Sequence, residues 1–144
     1  MHISDILRTK GTEVVMVPPD LLVRELLDVF KARNLGAVVV SVEDRVALGI
    51  VSERDVVRHL TDGPTTLDQP VHLIMTPADR MHTCTASDTV DSLAQLMTER
   101  RVRHIPVLDD DGLLAGIVSI GDVLKTRIGE LTSERDELEA YVST

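Results

Sequence analysis

The chain has 144 residues, 43% hydrophobic, 27% charged and 1% aromatic, and its 15 basic against 24 acidic side chains leave a formal net charge of −9. That length suits one body of ordinary size with an aliphatic core, so disorder and collagen-like structure are excluded, and the acidic balance disfavours nucleic acid as a partner. No apolar run approaches the roughly 18 residues of a membrane span, the N-terminus lacks a signal-peptide pattern, and Cys84 stands alone, so a cytoplasmic protein with no membrane partner is expected.

In chain order, Ile6-Leu7 belong to a short lead-in helix, and Val14 to Val17 form an extended run closed by Pro18-Pro19. Asp20 can cap the helix that follows, in which Val23, Leu26, Leu27 and Phe30 recur at helical spacing. Ala37 to Val42 and Ala47 to Val51 flank Glu43-Asp44-Arg45 as a β-hairpin, and a second helix starts at Ser52. Turn formers in residues 63–70 read as a linker. The same order then recurs: the lead-in Ile74-Met75, an extended run from Met81 to Cys84, and the turn Ala86-Ser87-Asp88. A helix carrying Val90, Leu93, Leu96 and Met97 follows, then a hairpin of Ile105 to Leu108 with Leu113 to Val118, and a helix from Ser119. No proline stops that last helix, and Leu124, Ile128, Leu131, Leu138 and Val142 form a heptad seam in which Arg135 takes the missing core position.

The recurrence extends to residue identity. Gly49-Ile50-Val51-Ser52-Glu53-Arg54-Asp55-Val56 lies over Gly116-Ile117-Val118-Ser119-Ile120-Gly121-Asp122-Val123 at an offset of 67, with six of the eight positions identical. Upstream, Asp5-Ile6-Leu7 matches Leu73-Ile74-Met75 at an offset of 68. Each unit is too small to bury much core alone, so the two should pack as one body. The expected architecture is an α/β fold of two pseudosymmetric β-α-β-β-α repeats, at residues 1–62 and 71–127, with a helical extension over 128–144.

Ser52-x-x-Asp55 and Ser119-x-x-Asp122 stand where a strand gives way to a helix. A capping box is one reading, with Ser as N-cap and the acid reaching back to the Ser amide. That box prefers the longer Glu or Gln, whereas an Asp held there can accept both hydroxyls of a ribose while Ser and free amides meet a phosphate. Ligand contact is therefore favoured over capping alone, and the two are compatible. Arg54 and Arg103 are candidate phosphate partners, with His104 beside the second site and Gly121 in place of Arg54, so the clefts are unequal and the first should prefer the more highly charged ligand. Pro106 withholds an amide from its strand, which marks an edge or a ligand-facing position.

The element order, the doubled Gly-Ile-Val-Ser-x-x-Asp signature, the Ile74-Met75-Thr76 lead-in and the His104-Ile105-Pro106-Val107 strand resemble a tandem pair of CBS domains, the family named after cystathionine β-synthase. The resemblance implies a module that binds adenosyl nucleotides such as AMP, ADP, ATP or NAD in two clefts and signals to a partner protein. It implies that Asp55 and Asp122 hold ribose, that Ser52 and Ser119 assist, and that the base lies between first and second strands. That slot maps onto Val15 and Met16 with Gly36, Ala37 and Val38, whose small residues leave room for a base, and onto His82 and Thr83 with His104, Ile105 and Pro106. It also implies pairing of two modules, so a homodimer using the C-terminal helix is expected.

No catalytic motif is present, and because only about 17 residues follow the second repeat a free-standing regulatory module is expected, not an enzyme. A ligand-free scaffold or dimerisation module is the alternative. A third reading is metal-responsive: His82 and Cys84 share one strand face, and His104 is a third candidate ligand for zinc.

Overall fold

The computed structural model describes residues 1–143. The chain runs α1 (Ile3–Lys10), β1 (Met16–Val17), α2 (Val23–Arg33), β2 (Ala37–Val40), β3 (Gly49–Ser52), α3 (Glu53–Leu60), β4 (Thr76–Pro77), α4 (Val90–Arg100), β5 (His104–Leu108), β6 (Leu114–Ser119) and α5 (Ile120–Ser143). Short 3-10 turns lie at Pro64–Asp68, Val71–Leu73 and Ala78–Arg80. This is an α/β fold of two β-α-β-β-α repeats followed by a C-terminal helical extension. Among the described residues no helix is long and apolar enough to cross a membrane.

Helical periodicity decides what α2 and α4 bury. Val23, Leu26 and Phe30 face inward from α2, and Val90, Leu93 and Met97 from α4, one turn apart on a single face. Both helices close on a left-handed residue, Asn34 at φ 52° and Arg101 at φ 54°, whose amides return to Phe30 and Met97. Asp20 does not cap α2. The Leu21 amide bonds the Pro18 carbonyl in a turn and Leu22 bridges to Pro70, which keeps the chain extended to Leu22. The Leu22 amide then donates to the Glu25 carboxylate at 3.2 Å.

In the first sheet β1 pairs parallel with β2, β2 antiparallel with β3, and β3 antiparallel with β4. In the second, β5 and β6 form an antiparallel pair, and the expected strand from Met81 to Cys84 is reduced to one parallel bridge between Cys84 and Val107. Proline explains the difference. In the first repeat the Val39 amide donates to the Val15 carbonyl at 3.2 Å; at the offset of 67 these positions are Pro106 and His82, and Pro106 has no N–H to give. Only the Cys84 amide to Pro106 carbonyl and Leu108 amide to Cys84 carbonyl bonds remain, at 3.1 and 2.9 Å. Pro106 therefore faces the first-strand side, and it does so buried.

The lead-ins are exchanged. Ile3, Ile6 and Leu7 of α1 are buried in the second repeat's core, with Leu93, Met97, Ile105, Val107 and Val118. Val71 and Ile74 in turn lie in the first repeat's core, with Leu26, Phe30, Val38 and Val51. Thr76 and Pro77, which continue this second lead-in, supply the fourth strand of the first sheet. This exchange accounts for the glycine that opens each signature. A Cβ on Gly49 would stand 2.5 Å from the Thr76 carbonyl oxygen, and one on Gly116 would stand 2.7 Å from Leu7 Cδ2. Each lead-in crosses the other repeat where only glycine leaves room.

Two outcomes are expected. Ile3→Ala should lower unfolding free energy by about 2–5 kcal/mol in urea titration, with lost amide protection in β5 and β6 and not in β2. Gly49→Ala should destabilise more than Gly116→Ala, because it meets backbone and not a side-chain tip; overpacking of this kind costs about 1–3 kcal/mol.

Candidate functional site

Ser52 and Ser119 end β3 and β6 and are the N-caps of α3 and α5, so the strand-to-helix turn sets both signatures in one geometry. In the first, the Ser52 amide and hydroxyl donate to Asp55 Oδ2 at 2.8 and 3.0 Å, and Ser52 Oγ accepts from the Asp55 amide at 3.3 Å. In the second, the Ser119 amide and hydroxyl donate to Asp122 Oδ2 at 2.8 and 3.0 Å, and Ser119 Oγ accepts from the Asp122 amide at 3.2 Å. Asp thus completes the capping box in both copies despite its short side chain. Only Oδ2 is used. Oδ1 of each Asp accepts nothing from the described residues.

Here the symmetry ends. Lys10, the last residue of α1, places its ammonium 2.7 Å from Asp122 Oδ2 and 2.8 Å from the Ile117 carbonyl oxygen. Burial raises the Asp122 pKa, but the Lys10 ammonium and the Ser119 amide and hydroxyl outweigh it and hold the carboxyl below its ordinary value. In the first copy no described residue gives Asp55 a cationic partner: Ala78 matches Lys10 at the lead-in offset of 68, and its amide bonds the Leu48 carbonyl at the far end of β3. A cavity of about 1010 Å³ opens between α1 and α5, with Lys10, Asp122, Lys125, Thr126 and Thr9 on its walls. This is at the upper end of small-molecule pockets, about 300–1,000 Å³.

The remaining candidates are placed variously. Arg54 reaches across to the other repeat and donates to the Arg101 carbonyl at 3.0 Å, closing the left-handed end of α4. His104 lies against Gly36, where a Cβ would be 3.3 Å from both the imidazole Cε1 and Glu53 Oε1, so the room beside Gly36 is taken by a side chain from the second repeat. The Gly36 and Arg103 carbonyls accept the first amides of α3 and α5, Glu53 and Ile120, at 3.0 and 2.8 Å. Ala37, Val38, Ile105 and Pro106 are buried. Val15 is half-buried, and Met16 lines a second cavity of about 450 Å³ with Thr12, Arg45 and Leu114, away from either Asp. His82 is half-buried and Thr83 exposed beside Cys84. The Cys84 thiol is pushed up to about 12 by burial and then by Asp88, so it stays protonated at neutral pH. Among the described residues no three His, Cys, Asp or Glu are gathered for a metal, and His104 stands with Gly36 and Glu53.

Lys10 is the site residue that the sequence reading passes over. Its signal is the break in the repeat: the offset changes there from 68 to 67, and a lysine faces an alanine.

The model of the CBS domain family matches residues 3–62 and again residues 71–129. The chain belongs to the CBS domain family. It is similar to the crystal structure of the CBS-domain containing protein ATU1752 from Agrobacterium tumefaciens, with a TM-score of 0.83 and 42% identity over 88% of this chain and 99% of that one. It is 35% identical over 147 residues to the mitochondrial CBS domain-containing protein CBSX3 of Arabidopsis thaliana, covering 97% of this chain and 71% of that protein. The CBS domain protein PAE2072 from Pyrobaculum aerophilum, solved in complex with AMP, matches with a TM-score of 0.72 and 25% identity over 85% of this chain and 89% of that one. A pair of CBS domains is a regulatory module, and here the two CBS repeats meet where Gly36, Glu53, Lys10, Arg103, His104 and Asp122 converge.

His104 makes this junction of the CBS pair sensitive to pH. Burial first, then the charges of Lys10 and Arg103, lower its pKa from the ordinary 6.5, against the opposing pull of Asp122 and Glu53. Below pH 6.5 the unfolded chain therefore takes up the proton more readily than the folded one, so stability falls as pH falls toward the lowered folded value. His104→Gln should flatten that limb in thermal melts between pH 7 and pH 5, a window of ~2 units around the ordinary His value.

Proposed function

We propose that the chain is a regulatory sensor of adenosyl nucleotides such as AMP, ADP, ATP or NAD, that it works as a homodimer in the cytoplasm, and that it signals to a partner protein. The observation that carries this reading is the free Oδ1 of the signature Asp, which at Asp122 borders a cavity of about 1010 Å³. A carboxylate fixed by its own Ser, with one oxygen left over, is pre-set for a ribose diol. Ser52 and Asp55 would hold one nucleotide, Ser119 and Asp122 the other. The AMP complex of the Pyrobaculum relative supports the ligand class. A single buried thiol suits a reducing compartment.

The dimer is supported by α5. From Leu131 to Ser143 every described residue of this helix is exposed, and Leu124, Ile128, Leu131 and Leu138 are between 53% and 65% exposed along one seam. A helix end whose apolar Leu131 and Leu138 face solvent gains little from propensity alone and is completed by a second surface. A repeat of four and three residues fits an identical helix. A scaffold without ligand is the second reading, favoured by the contacts already closed by Lys10 on Asp122, Arg54 on the Arg101 carbonyl and His104 against Gly36.

Calorimetry separates the two. Asp55→Ala and Asp122→Ala should each abolish one class of AMP site and leave the other. Each loses hydrogen bonds to a charged group worth about 1.5–3 kcal/mol, hence at least tenfold in affinity. A wild-type chain that binds no adenosyl ligand at millimolar concentration is the scaffold. Light scattering should show a dimer for the full chain and a monomer for a chain ending at Lys125; a dimer that survives truncation removes α5 from the interface.

A further inference from the structure

We infer that Lys10 makes the second cleft select phosphorylated over unphosphorylated adenosyl ligands, a step that rests on the adenosyl reading of Asp122: the ammonium guards the carboxylate until a phosphate draws it away. Asp122 Oδ2 takes three donors, from the Ser119 amide, the Ser119 hydroxyl and Lys10 Nζ. Two carboxylate oxygens offer about four lone-pair sites in all, so that oxygen is saturated. A ribose diol finds Oδ1 of a carboxylate whose charge Lys10 already offsets, and Asp122 regains its full acceptor strength only when Lys10 leaves.

What Lys10 receives in return depends on the ligand. A neutral nucleoside offers nothing to an ammonium whose side chain is only 32% exposed, paired with a carboxylate that is 17% exposed. The ion pair would be lost without a replacement. A phosphate replaces the carboxylate as the anion; Lys125, Thr9 and Thr126 line the same cavity, and of its acidic residues Asp5 and Glu130 are paired with Arg8 and Arg127 while Glu134 stands further along α5. Movement is local. Lys10 is a flexible four-carbon stem at the end of α1, followed by Gly11 at φ 98°, so it can swing while Ile6 and Leu7 stay in the core.

The first cleft lacks this guard. Ala78, the sequence match of Lys10, lies at Leu48 on the far end of β3; among the described residues Asp55 is held by its own Ser52 alone, and Arg54 is engaged by the Arg101 carbonyl. Discrimination by charge thus falls to the second cleft, the reverse of the preference that Arg54 implies in the sequence.

The test is titration of the isotope-labelled full chain with AMP and with adenosine, read at the Gly121 and Asp122 amides by two-dimensional NMR. In the wild type AMP should bind the second cleft at least tenfold more tightly than adenosine. Lys10→Gln should weaken AMP while leaving adenosine unchanged or tighter, so that the ratio collapses toward one, and Lys10→Arg should restore it. Lys10→Met, which keeps the apolar stem, serves if the Gln variant does not fold. A ratio unchanged in the neutral variants, or equal losses for both ligands, overturns the role of Lys10 while leaving adenosyl binding standing. If neither ligand shifts these amides in any of the chains, the adenosyl reading of Asp122 falls and the role of Lys10 falls with it.

Discussion

The fold depends on the exchange of lead-in segments between the two repeats. Neither repeat closes its own core: Ile3, Ile6 and Leu7 fill the second, and Val71 and Ile74 fill the first. Units of this size bury too small a share of their surface to stand alone, and each borrows the missing apolar area from the chain that leads into its neighbour. Reciprocal borrowing turns two half-stable units into one cooperative body, because opening either core pulls a segment away from the other. The doubled glycine at the head of each signature is the steric counterpart of this arrangement. Gly49 and Gly116 leave space where the exchanged segments cross, against Thr76 and Leu7.

The same exchange decides the chemistry of the candidate sites. A lead-in delivers its last side chain to the other repeat's strand-to-helix turn, so Lys10 meets Asp122 although 112 residues separate them. In the first copy the corresponding segment pairs with β3 and runs the other way, so that Ala78, the sequence match of Lys10, bonds Leu48 and the Asp55 carboxylate has, among the described residues, its capping Ser alone. Two turns built on one backbone plan thereby differ in charge at the signature Asp. His104 and Arg54 add to the asymmetry by reaching across the junction, one to Gly36 and the other to the end of α4. Local symmetry of the signature gives equal helix starts, while long-range packing makes the sites unequal.

Capping and ligand contact are not rivals at these turns. The capping box uses Oδ2 and orients Oδ1, so the group that stabilises the helix start also presents an acceptor with little freedom left to lose. A longer Glu would close the same box with more rotamers to immobilise. Asp in both copies thus closes the helix start and leaves one acceptor oxygen uncommitted among the described residues.

The sequence by itself determined the repeat, the element order and the inward faces of α2 and α4, because an offset of 67 and the helical and strand periods are local properties of the chain. It also determined the Ser and Asp at each helix start, since four consecutive residues set their own hydrogen bonds. Pro106 belongs to the same class: its missing amide was legible, and its effect on the strand before Cys84 follows from the repeat. The start of α2 was not legible, because a turn at Pro18 and a bridge to Pro70 displaced the cap from Asp20 to Leu22. Nor was the role of Arg54, whose partner is a carbonyl 47 residues away. Tertiary structure alone decided which repeat each lead-in completes, and with it the pairing of Lys10 with Asp122, because hydrophobic periodicity says that Ile3, Ile6 and Leu7 must be buried and carries no information about which core receives them.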